Sequence, residues 1–126
     1  MGEVAIVEPC DEALLRGARL FDAGAFFEAH EAWEERWRVE KLPAVRTLLQ
    51  GLIQIAAAFH KLVVADSPAA ASRLLARGLA KLDACPDELA ARELAGFRDA
   101  IRTCGRALAA GRFDASSPIP KIGPAC

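Results

Sequence analysis

The stretch Pro43-Ala44-Val45-Arg46-Thr47-Leu48-Leu49-Gln50-Gly51-Leu52-Ile53-Gln54-Ile55-Ala56-Ala57-Ala58-Phe59-His60-Lys61-Leu62-Val63-Val64-Ala65 decides the fold. It opens on proline, which suits the first turn of a helix, and holds no other proline. Leu48, Leu49, Leu52, Ile53, Ile55, Ala56, Phe59 and Leu62 occupy almost every side of a 3.6-residue helix. Such a helix is central, covered by neighbours all round. A membrane span is the rival for so apolar a run, but Gln50, Gln54, His60 and Lys61 interrupt it.

Outward from this helix, punctuation sets the other elements. Prolines occur at positions 9, 43, 68, 86, 118, 120 and 124 only, and Gly24 and Gly111 are suited to close helices in the left-handed conformation. The spacing predicts a first helix over 11–23 with Leu14, Leu15, Ala18 and Phe21 on one side, and a second over 26–40. The central helix of 43–65 follows. A fourth starts with Asp66 or Ser67 as N-cap and Pro68 in its first turn, and ends near 85–86. The fifth starts at 87, with Ala90, Leu94, Phe97, Ile101, Cys104 and Leu108 stepping by four and three. The expectation is an all-α, five-helix, single-domain bundle over 1–126 whose second and third helices form a central antiparallel hairpin. Residues 1–10 read as an N-terminal extension. Residues 112–126 read as an irregular tail, either laid on the bundle by Phe113, Ile119 and Ile122 or frayed.

Composition agrees. Of 126 residues, 27 are alanine and 15 leucine, with no tyrosine or asparagine, which disfavours a β fold. Sixteen basic and seventeen acidic residues, interleaved along the chain, lack the basic excess of a nucleic-acid binder. The acidic N-terminus has no secretory or myristoylation pattern, so a cytoplasmic location is expected, with reduced thiols at Cys10, Cys85, Cys104 and Cys126. An alanine-rich helix packs equally well within one chain or between two, which leaves a homo-oligomer open.

Chemistry-bearing side chains are scarce: two histidines and two glutamines. They converge on the hairpin. In Phe26-Phe27-Glu28-Ala29-His30-Glu31-Ala32-Trp33-Glu34-Glu35-Arg36-Trp37, the residues Phe26, His30, Trp33 and Trp37 share one face. His30 and Glu34 are four apart and within reach of each other. A tight turn about Leu42 would bring Gln54 level with His30, and Gln50 level with Glu34. Three readings follow. The leading one is a non-catalytic, structural or partner-binding role, in which His30, Glu34 and Gln54 form a hydrogen-bonded network that fixes the hairpin. The second is a divalent-metal site, with His30 and Glu34 as ligand candidates, Glu31 as a third and His60 more remote. It would make the protein a metal-dependent hydrolase using His30, Glu31 and Glu34 on a bound water, because no serine sits in a nucleophile elbow. The third is a small-ligand or partner site at the mouth of the hairpin.

The two helices also carry a resemblance. Leu20-Phe21-x-x-Gly24-x-Phe26-Phe27-Glu28-Ala29-His30-Glu31-x-Trp33-Glu34-x-x-Trp37, followed by Leu49-Gln50-Gly51-Leu52-Ile53-Gln54-x-Ala56-Ala57-Ala58-x-His60, resembles domain-of-unknown-function family 309 of bacteria, archaea and plastids. The likeness covers roughly 14–82. It implies a compact all-helical fold and no assigned activity. It singles out His30, Glu31, Glu34, Trp37, Gly51, Gln54 and His60. Where that family tends to have asparagine followed by Gly-Ala, this chain has Asp66-Ser67-Pro68-Ala69-Ala70-Ala71, so a ligand role for that asparagine is lost.

Overall fold

The computed structural model describes residues 12–85 and 92–123. The expected extension 1–10, the beginning of the fifth helix at 87–91, Cys10 and Cys126 lie outside them. Among the described residues are five helices and no strand: α1 (Glu12–Asp22), α2 (Phe26–Val39), α3 (Pro43–Val63), α4 (Pro68–Asp83) and α5 (Arg92–Ala109). The all-α reading holds, and α2 and α3 pack closely as a hairpin.

Helix ends follow local chemistry. Gly24 has φ of 86°, its N–H donates to Phe21 O at 2.9 Å, and the Ala25 N–H donates to Leu20 O at 2.9 Å. That pair of bonds is a Schellman closure of α1. Gly111 (φ 75°) closes α5 in the same way, with Arg112 N–H donating to Ala107 O at 2.8 Å. At the α2–α3 turn the Glu40 carboxylate accepts from Lys41 N–H (3.1 Å) and Leu42 N–H (2.9 Å), and pairs with Arg36 at 2.8 Å. The Leu42 N–H, with smaller help from Arg36, holds the Glu40 carboxyl below its usual range. Arg46 then ties the α2 C-terminus to α3. It donates to Trp37 O (2.9 Å) and Glu40 O (3.0 Å), and its guanidinium lies 3.9 Å above the Trp37 ring.

One aromatic side chain joins four helices. Phe21 of α1 lies 5.1 Å from Phe26, 5.5 Å from Phe97, 5.8 Å from Phe59 and 6.1 Å from Trp33, centroid to centroid. Trp33 is 1% exposed and donates its indole N–H to Leu14 O at 3.2 Å, crossing α1 where Gly17 has no side chain. The tightest crossing is between α3 and α4. A Cβ on Gly78 would lie 2.7 Å from Gly51 O, and one on Gly51 would lie 3.0 Å from Gly78 O, so the two backbones touch. The tail lies on the bundle: Ile122 is buried, Phe113 and Ile119 pack on the core, and Phe113 faces Phe59 at 6.5 Å. Asp22 clasps it, accepting from Ile122 N–H (2.8 Å) and Gly123 N–H (2.9 Å).

The α4–α5 contact carries a fork-like ion pair. Arg102 donates to both Asp83 oxygens at 2.9 and 3.0 Å, and Arg98 Nε stands 3.7 Å from the same carboxylate. The Arg102 hydrogen bonds, reinforced by the charges of Arg102 and Arg98, hold the Asp83 carboxyl below its ordinary value. A lowered acid pKa stabilises the fold fully above that ordinary value and loses this effect as pH falls through the folded one. Glu40 acts in the same direction. The urea midpoint is therefore expected to be flat down to about pH 5 and to fall below it. Asp83→Asn should flatten part of that fall while lowering the midpoint at pH 7, and a slope identical to the parent's would refute the assignment.

Candidate functional site

The residues singled out by sequence are spread over the hairpin, with a different grouping from the one their spacing suggested. His30 is half-buried at the edge of α2, stacked on Phe27 with centroids 6.1 Å apart and planes at 14°. His60 reaches the same phenyl ring from α3, at 5.6 Å. Phe27 thus has an imidazole from each helix beside it, yet is 48% exposed. Farther along α3 and just past its end, Val63 and Val64 are 42% and 67% exposed. Trp37 is half-buried under Arg46. Two ring nitrogens, His30 Nδ1 and Trp37 Nε1, are buried without a hydrogen-bond partner.

The expected His30–Glu34–Gln54 hydrogen-bonded network does not form. Gln54 Oε1 accepts from Lys81 Nζ of α4 at 3.1 Å, Glu34 pairs with Arg38 at 3.4 Å, Glu31 is exposed, and Gln50 points outward. The physical reason is the rotation of α3. Gly51 must face Gly78, and Gln54 and Ile55, three and four residues on, share that face. The α3–α4 contact therefore takes the glutamine that the hairpin arithmetic gave to α2. The signal was present in the sequence: a glycine in the interior of each helix, with Lys81 three residues beyond Gly78.

Phe27 was not among the residues that the sequence singled out. Consecutive residues stand about 100° apart on a helix; Phe26 takes the core position, at 6% exposure, and Phe27 falls on the flank. His60 was expected at a different height from His30, but the shared phenyl ring brings the two histidines to one site.

For metal chemistry the donors diverge. Among the described residues no three His, Cys, Asp or Glu side chains come together in a group able to hold an ion. His30 and Glu34 turn to Phe27 and Arg38 respectively. Burial raises both described thiols, Cys85 above its ordinary value and Cys104 to about 11, which removes their nucleophilic form near neutrality. On the other side of α2 lies an open groove of about 300 Å³ lined by Arg16, Glu28, Glu31, Glu34, Glu35 and Arg38.

Residues 14–74 match the family described as "Domain of unknown function (DUF309)". Over that segment, just under half of the chain, the protein is similar to the DUF309 family. The DUF309 match begins in α1 and ends inside α4, so it contains Phe27, His30, His60 and the whole hairpin, and stops short of Gly78 and Lys81. No curated protein and no solved structure matches the chain. Between α3 and α4, Asp66 takes a left-handed φ of 48°, and Ser67 caps α4 by position without a side-chain hydrogen bond. No described helix is long and apolar enough to cross a membrane.

Proposed function

We propose that this protein is a non-catalytic helical binding domain of the cytoplasm, a single unit over 1–126, whose binding surface is the outer face of the α2–α3 hairpin. The carrying observation is Phe27, displayed to solvent while His30 and His60 flank it. A lone exposed apolar residue needs no explanation. Here, however, exposed Val64 stands one turn beyond His60, and two imidazoles limit the ring's freedom, so little side-chain entropy remains to be lost on binding. The buried, unpaired His30 Nδ1 supports the same reading, because native folds leave few such groups without a role. On this reading Glu31 and Glu34 border the surface on α2, while Trp37, Gln50 and Gln54 continue it away from Phe27 and His60.

The test separates surface from scaffold. Phe27→Ser should leave stability within about 1 kcal/mol of the parent, since the ring is already half in water. A photo-reactive benzoylphenylalanine at position 27 should give a discrete cross-linked adduct in the producing cells, while the same group at exposed Arg112 should give none. A domain that unfolds on Phe27→Ser, or a position 27 that cross-links to nothing, would refute the reading.

A further inference from the structure

We infer that the partner of this face is a second copy of the same chain, an inference that rests on the binding-surface reading above. The argument is the order of charge across the face. At one edge Glu35 stands 4.0 Å from Arg16 of α1, which orients that side of α2. Glu28 and Glu31 share the groove wall with it, and all three are exposed. At 100° per residue, Phe27 and then His30 come next, followed across the hairpin by His60 and Val64 of α3. Beyond them Lys61 is exposed on the α4 side of α3, and Lys81, bonded to Gln54, marks the adjoining edge of α4, with exposed Arg77 four residues away on the same side. The face therefore runs acidic, then apolar with imidazoles, then basic.

A partner of single sign is repelled by one of these edges. A basic peptide that suits Glu28 and Glu31 meets Lys61 and Arg77, and an acidic one meets the reverse. The matching surface must be split in sign and run in the opposite direction. A second copy turned about a two-fold axis that lies in the face and runs parallel to the hairpin helices has that pattern by construction, with each acidic edge over the other's basic edge and the Phe27 patches at the centre. A helix pair of α2's length offers roughly 21 Å by 20 Å. That is below the ~800 Å² per partner of a standard interface even before the α4 edge is added, so the association should be weak and concentration-dependent.

The decisive measurement is sedimentation equilibrium of the purified full chain across roughly 1 to 500 µM, the range a small interface suggests. The mass should rise toward twice that of the chain. Glu28→Lys with Glu31→Lys makes both edges basic, and Lys61→Glu with Arg77→Glu makes both acidic. Each double variant alone should lose at least ten-fold in self-affinity, and an equimolar mixture of the two should associate again. Phe27→Ser should abolish association in every combination, with circular dichroism confirming that each variant is folded. A monomer at all concentrations, or a dimer indifferent to these changes, would overturn the inference. If the chain is monomeric while position 27 still gives an adduct of a mass other than twice the chain's, the second copy is refuted and the binding surface stands. If neither self-association nor any adduct is seen, both fail.

Discussion

Replacing Trp33 with alanine is expected to cost about 3–5 kcal/mol, the range for deleting a buried aromatic side chain. That is a large share of the 5–15 kcal/mol that holds a typical domain together. The loss has two sources. The indole is 1% exposed and sits against Phe21 and over Gly17, so its removal opens a cavity that neither the central ring nor a glycine can fill. It also removes the indole's hydrogen bond to Leu14 O, for about 1 kcal/mol more. Trp37 supplies the comparison. It lies under Arg46 at the surface of the hairpin, and Trp37→Ala should cost clearly less. Urea denaturation followed by circular dichroism measures both, and a Trp33→Ala loss under 1 kcal/mol would refute the role given to this residue.

Gly78→Ala is the second large effect, expected to destabilise by about 2 kcal/mol net. The added methyl would meet Gly51 O and Ile55 Cγ1, each at 2.7 Å, and backbone cannot rotate away as a side chain can. Overpacking costs typically 1–3 kcal/mol and sometimes more, against which alanine regains up to about 1 kcal/mol of helix propensity. Gly96→Ala isolates that second contribution. Gly96 is exposed on α5 with nothing within 4 Å of its would-be Cβ, so the change should stabilise by about 0.5–1 kcal/mol. Opposite signs for the two substitutions, read as shifts in urea midpoint, are the expected result. Equal signs would mean that the α3–α4 backbones do not touch.

The same two glycines mark how far the sequence could be read. Proline and glycine punctuation, with the apolar stripe, was enough for the helix order, because those residues act through their own backbone and need no knowledge of neighbours. Gly24 and Gly111 ended their helices where expected, and Phe113, Ile119 and Ile122 laid the tail on the core. The site was less legible, because it depends on how α3 is rotated about its axis. That rotation is set by α4 through Gly51 and Gly78, a contact between elements whose mutual angle no local pattern records. His30 and Gln54 were placed correctly along their helices and wrongly toward each other. Phe27, which two histidines share, carried only the weak signal of being the second of two adjacent phenylalanines.

Asp22 and its two N–H donors have a consequence for how the chain acquires its structure. The clasp joins positions a hundred residues apart, the longest loop any described hydrogen bond closes. Helices α1 to α4 meet largely through short connections, which close early and at small entropic cost. During synthesis those four can associate while the remainder is still in the ribosomal tunnel, whereas the clasp must wait until residue 123 has emerged. The tail is thus the last part to seat. Until it does, the nascent protein shows the apolar ground beneath Phe113, Ile119 and Ile122 to whatever chaperone is near.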